Sequence, residues 1–192
     1  STHCISSAAS DVYKRQPKGS FEEKPIVPPV KVETSKVDGK WKLLVNGQEL
    51  YIKGAACNNF YAEAADFGAN VVRTYGVSDK SKAILDAAQE KGLYVNFGLY
   101  IKRETDGFDY NNAAAVKAQF DEMKATVERF KDHPALLVWS IGNEAEASYT
   151  NLKLWDAIND IAKMIHETDP NHPTTTTLAS SNVNPVSYTH LT

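Results

Sequence analysis

Leu136-Leu137-Val138-Trp139-Ser140-Ile141-Gly142-Asn143-Glu144 is an apolar run that ends abruptly in polar groups. Five large apolar side chains in six positions suit a strand buried on both faces, as in a parallel sheet, rather than an alternating strand with one wet face. Gly142 lets the backbone turn or approach a ligand closely. Asn143 and Glu144 then fall at the carboxyl end of the strand, the end at which barrels of alternating strands and helices keep their chemistry.

Upstream, residues 113–130 read as a helix: Val116, Phe120, Met123, Val127 and Phe130 recur at steps of three and four and line one core-facing side. Asp132-His133-Pro134 separates it from the apolar run. Residues 93–99 read as a strand. Residues 78–91 read as a helix capped by Ser78 or Asp79 and stopped by Gly92. Residues 69–75 read as another strand, with Arg73 near its end; a buried guanidinium there needs a partner. A short helix over 61–67 precedes it. Downstream, residues 150–166 read as a helix capped by Thr150, and 174–178 as a strand. Strand and helix alternate without sequence repeats, which points to an α/β fold with a parallel sheet. Before this alternation, strand signals at 31–33, 40–45 and 49–53 surround the turns Asp38-Gly39 and Asn46-Gly47, with Gly54 expected to end the last strand.

Trp139-Ser140-Ile141-Gly142-Asn143-Glu144, led in by Asp132-His133-Pro134, resembles the fourth-strand signature of clan A glycoside hydrolases. It is most similar to the barrel domain of glycoside hydrolase family 2, the family of β-galactosidases and β-glucuronidases; the β-1,3-glucanosyltransferases of the same clan are a weaker match. The hairpin from Asn46 to Gly54, which leads into the first barrel strand, resembles the same family, and the likeness runs from about Trp41 to Leu178. The resemblance implies the N-terminal part of a (β/α)8 TIM barrel, about strands one to five, incomplete. It implies that Glu144 is the general acid/base of a retaining enzyme acting on β-linked glycosides or β-glycans. It also implies that Asn143 binds the sugar's 2-hydroxyl and that Arg73 supports the nucleophile. That nucleophile would be a Glu ending the seventh strand, and no residue of this chain matches it; Glu104 and Glu146 lie in loops without that context. The chain departs from the family in a shortened segment between the first two strands, so Cys57, Asn58 and Asn59 read as loop residues. His133 belongs to the pattern and reads as structural. Glu146 reads as solvent-facing in preference to reaching a neighbouring sugar, and the loop over 100–112 as either sugar-contacting or merely solvated.

Residues 1–16 and 186–192 resemble translated sequencing adapter, through Ser-Ser-Ala-Ala-Ser-Asp-Val-Tyr-Lys-Arg-Gln at 6–16 and Val-Ser-Tyr-Thr-His-Leu-Thr at 186–192. This divides the chain into a scar (1–16), a Pro-rich linker (17–30), a partial barrel with its N-terminal hairpin (31–185) and a second scar (186–192). Setting the scars aside leaves Cys57 as a single cysteine, without a disulfide framework or metal spacing, and removes His3 and His190 as ligands. The net charge is −3; without Asp11, Lys14 and Arg15, which together carry +1, it is −4. A mildly acidic, mixed surface argues against a nucleic-acid partner, and no apolar run is long enough to span a bilayer. A nucleotide-binding fold lacks its Gly-rich fingerprint. The partner implied is a carbohydrate substrate, with no cofactor and no metal; family habit implies a periplasmic or secreted parent. About five of eight strands leave unpaired sheet edges, so the chain alone is expected to be inactive. The rival from another class is a non-catalytic carbohydrate-binding barrel, which need not bring Asn143, Glu144 and Arg73 together.

Overall fold

A computed structural model describes residues 27–179 apart from Asn58 and Ser148. The adapter-like ends and most of the Pro-rich stretch lie outside these residues. Two sheets form. A small antiparallel sheet contains β1 (Val32–Val37), β2 (Lys40–Val45) and β3 (Gln48–Glu49). A five-stranded parallel sheet follows, in the order β4 (Gly54–Ala56), β5 (Val71–Arg73), β6 (Tyr94–Leu99), β7 (Leu136–Ile141) and β8 (Thr174–Thr175). Helices α1 (Tyr61–Asp66), α2 (Ser81–Glu90), α3 (Ala113–Phe130) and α4 (Lys153–Thr168) connect its successive strands. Sequential order with a helix in each crossover is the winding of a (β/α)8 barrel, here an α/β arc of five strands whose outer edges are β4 and β8.

The outer face of the arc packs on the helices. Val95, Phe97, Leu99, Trp139 and Ile141 meet Leu85 of α2, Val127 and Phe130 of α3, and Ile158, Ile161 and Ile165 of α4. Phe97 sits edge-on against Trp139, ring centroids 5.5 Å apart. Burying each such aliphatic side chain contributes about 1.5–3 kcal/mol. The small sheet packs under the arc through Val30, Val32, Val45, Val71 and Leu137, and the Val32 amide donates to the Asn171 carbonyl at 2.7 Å. Gly98 allows β5 and β6 to approach closely, since a Cβ there would lie 2.4 Å from the Thr74 carbonyl oxygen.

Several boundaries differ from the sequence reading. The strand expected over 49–53 is cut to β3, and Gly54 opens β4 instead of ending a strand. Asn70 is the cause: its side chain accepts from the Lys53 amide at 2.8 Å and donates to the Tyr51 carbonyl at 2.9 Å, drawing this backbone away from the hairpin and into the parallel sheet. The helix expected from Thr150 begins at Lys153, because Thr150 donates to Glu104 rather than capping. Helix α2 starts at Ser81, with Ser81 Oγ accepting from the Ser78 amide. The strand expected over 174–178 pairs only at Thr174–Thr175.

Trp139 brings an indole N–H into the core, and Asp169 resolves it. The indole Nε1 donates to Asp169 Oδ2 at 2.7 Å, and His172 Nδ1 lies 2.8 Å from the same oxygen. Asp169 and His172 are 1% and 2% exposed. Burial pushes the Asp169 carboxyl up, but the hydrogen bonds from His172 and Trp139 outweigh it and hold the group below its ordinary range. Its folded value is therefore depressed. The stabilisation is complete above the unfolded pKa of about 3.9 and is lost as pH falls through the folded value. Asp169→Ala leaves two buried polar groups unpaired and is expected to lower stability by about 3–5 kcal/mol in urea denaturation, whereas Asp86→Ala on the surface should cost under about 1 kcal/mol.

Candidate active site

The polar ends of β5 and β7 meet. Arg73 closes β5, in register with Ala56 of β4 and Asn96 of β6. Its Nη2 donates to Asn143 Oδ1 at 2.8 Å, across 70 residues of sequence. The guanidinium also lies 4.9 Å from the centroid of the Tyr75 ring, a cation–π contact that offsets part of its desolvation. With its oxygen occupied, the Asn143 amide keeps its N–H donors for a ligand. Glu144 is exposed at the mouth of the arc.

The backbone at this point is unusual. Gly142 has φ 77° and Glu144 has φ 52°. Glycine adopts the left-handed region freely, but a residue with a Cβ is strained there. A Cβ at Gly142 would also stand 2.8 Å from Ile101 Cγ2, so side-chain-free backbone is required. The Glu144 strain is held by its surroundings. Its amide donates to the Thr177 carbonyl at 2.9 Å and its carbonyl accepts from the Ala147 amide at 3.0 Å. Thr176 Oγ1 donates to the Ile141 carbonyl at 2.8 Å. Strain that persists because its surroundings over-determine it is a mark of functional positions.

Beneath Arg73 and Asn143 the inner face of the arc sets a few polar groups among apolar ones. Arg73 Nε, Asn96 Oδ1 and Ser140 Oγ are buried without a hydrogen-bond partner. A cavity of about 260 Å³ opens there, lined by Arg73, Asn96, Val71 and Val138 among others. A larger hollow of about 580 Å³ lies between α3 and α4. It includes none of Arg73, Asn143 and Glu144, so its size does not make it the site.

The remaining carboxylates have other roles. Glu146, expected to face solvent, is 6% exposed and accepts from the Ala179 amide; the chain after β8 folds over it. Glu104 accepts from the Thr150 amide at 2.6 Å, the Thr150 hydroxyl at 2.9 Å and the Asn151 amide at 3.0 Å. No sequence signal announced either contact, since both join loops brought together only by the barrel. His133 stands 3.2 Å from Asp86 and accepts from the Ala135 amide at 3.2 Å, a structural role. Cys57 continues the β4–β5 pairing, its amide donating to the Arg73 carbonyl at 3.3 Å. Burial pushes its thiol up, the opposite of an activated nucleophile. Among the described residues no cluster of three His, Cys, Asp or Glu is placed to hold a metal ion, and no helix is long and apolar enough to cross a membrane.

Residues 65–189 match the family model for the TIM barrel domain of glycosyl hydrolases family 2. A β-galactosidase of Arthrobacter sp. (strain B7) is 31% identical over 110 residues, covering 52% of this chain and 10% of that protein. A β-glucuronidase from an uncultured Clostridium sp. superposes with a TM-score of 0.61 at 20% identity, over 79% of this chain and 29% of that one. A family 2 β-galacturonidase from Eisenbergiella tayi, bound to galacturonate, gives 0.58 at 23% identity over 78% and 28%. These structural likenesses show the fold, and the chain spans about a tenth of the curated relative and under a third of these solved ones.

Because Glu144 holds a left-handed backbone, Glu144→Gly should raise stability by about 1 kcal/mol relative to Glu144→Ala. Urea denaturation of the two variants measures the difference, and equal midpoints would remove strain from the account.

Proposed function

The chain belongs to glycosyl hydrolase family 2, through its TIM barrel domain, and from that membership we propose that it supplies the acid/base side of a retaining β-glycosidase site. The observation that carries the reading is the Arg73–Asn143 hydrogen bond of 2.8 Å, which joins the ends of β5 and β7 beside an exposed Glu144. A non-catalytic barrel has no need of that junction, nor of a strained carboxylate at its mouth.

Glu144 is the general acid/base. Its carboxyl gives a proton to the glycosidic oxygen as the bond to the anomeric carbon breaks. A second carboxylate takes the anomeric carbon, and Glu144 then removes a proton from the water that releases the sugar. Retention requires the two carboxyl groups about 5–5.5 Å apart. Glu104 and Glu146 do not fill the second role. The first is engaged by Thr150 and Asn151, and the second is buried under the chain at Ala179. Asn143, held through its oxygen, offers N–H donors to the sugar's 2-hydroxyl. Arg73 fixes Asn143 and keeps positive charge near the inner cavity, where it supports an attacking carboxylate. The substrates are β-linked glycosides or β-glycans; the relatives named as β-galactosidase and β-glucuronidase support that class. With one carboxylate of the pair, the 192-residue chain by itself turns over no aryl β-glycoside.

The test uses the enzyme encoded by the complete reading frame that carries this segment. Glu144→Ala should lower kcat/KM for phenyl β-glycosides by about 10²–10⁴-fold. Azide, entering where the general base no longer activates water, should restore turnover of an activated aryl glycoside and yield the β-glycosyl azide. Full activity in Glu144→Ala, or no response to azide, would assign the acid/base role elsewhere.

A further inference from the structure

Between Glu144 and α4 runs a loop of irregular backbone whose near end is tied to the Thr177 carbonyl. At its far end Asn151 Oδ1 accepts from the Lys153 amide at 3.0 Å and so caps the first residue of α4, while the amides of Thr150 and Asn151 themselves point away from the helix. Glu104, from another loop, supplies the acceptor for those two amides. It opens a short 3-10 turn, Glu104–Asp106, in the segment that follows β6. That turn is itself braced. Tyr100 donates its hydroxyl to Asp106, and Arg103 donates to Asp106 through Nη2 at 3.1 Å and through its backbone amide at 3.2 Å. Arg103 and Tyr100 hold the Asp106 carboxyl down at about 2, so the brace is ionised across the working range of an enzyme.

On this rigid turn the Glu104 carboxylate accepts three hydrogen bonds, from the Thr150 amide, the Thr150 hydroxyl and the Asn151 amide, 2.6–3.0 Å long. The negative charge stands at the amino end of the 16-residue α4, where the helix dipole favours it. The same hydrogen bonds hold the carboxyl below its ordinary value, so it stays charged. The contact spans 46 residues of sequence and joins the loops that follow β6 and β7. One of those loops begins with Glu144.

We propose that Glu104 is a positioning residue for the acid/base Glu144. It fixes the far end of the Glu144 loop while Thr177 fixes the near end, so the strained backbone at Glu144 cannot relax away from the glycosidic oxygen. The inference rests on the acid/base reading of Glu144 given above. It goes beyond a helix cap in one respect: a cap affects stability alone, whereas a positioned acid affects how strongly the rate depends on the leaving group.

The experiment measures kcat/KM for a series of aryl β-glycosides, from 2,4-dinitrophenyl to phenyl, with the enzyme of the complete reading frame and its Glu104→Ala, Glu104→Gln and Glu144→Ala variants. Leaving groups that depart without a proton do not feel a displaced acid. Glu104→Ala should slow the phenyl glycoside about 10- to 100-fold and the dinitrophenyl glycoside by no more than about threefold. Glu104→Gln, which keeps an acceptor oxygen, should fall between Glu104→Ala and the parent. Amide hydrogen exchange at Thr150 and Asn151 should quicken in Glu104→Ala. An equal loss across the series, or none, would overturn the proposal. If Glu144→Ala steepens the leaving-group dependence and Glu104→Ala does not, the positioning role alone falls. If Glu144→Ala itself shows no such dependence, the acid/base reading falls and this inference with it.

Discussion

β7 is buried along nearly its whole length, only Val138 being partly open to the inner cavity, and that constraint shapes everything around it. Leu136, Leu137, Trp139 and Ile141 are each fully buried. A strand in this position can carry polar chemistry only where it ends. Its one interior polar ring atom, the Trp139 indole nitrogen, needs a dedicated partner, and the buried Asp169–His172 pair provides it. Ser140, on the opposite face, turns its hydroxyl toward the inner side without a partner. Polar groups therefore gather at Asn143 and Glu144, past Gly142, where the chain leaves the sheet.

The price of that exit is conformational strain at Glu144, and the loops around it supply the restraint. Thr177 holds the Glu144 amide, Thr176 holds the Ile141 carbonyl, and Glu146 holds the chain beyond β8. From the other side, Arg73 holds Asn143. The restraints come from both sides of β7, from the segment after β8 and from the end of β5, so the site's geometry depends on the sheet and not on one local motif. This is the sense in which a barrel is a platform: rigid strands bring together loops that share no sequence neighbourhood.

The sequence made the order of the elements legible because burial leaves periodic traces. Val127 and Phe130 on α3 and the unbroken run of β7 are such traces, and the bounds of α3 follow from them. Asn143 and Glu144 were legible through a family resemblance in the fourth-strand signature and Arg73 through its place at the end of an earlier strand; the structure joins Arg73 to Asn143. What escaped the sequence was long-range and polar. Asn70 redirecting the backbone at 51–53, Glu104 reaching Thr150, and Glu146 turning inward are all contacts between distant segments. A carboxylate in a loop looks the same in sequence whether it meets water or three hydrogen-bond donors. Only the fold decides.

The most direct measurement of the central claim is a crystal structure of the complete enzyme trapped with a 2-fluoro β-glycoside. The account predicts a covalent glycosyl ester on a carboxylate outside residues 27–179, about 5–5.5 Å from Glu144, with Asn143 against the fluorine at carbon 2. A label on Glu104, Glu146 or Glu144 itself would contradict it, as would a carboxyl separation of about 6.5–9.5 Å, the spacing of an inverting enzyme.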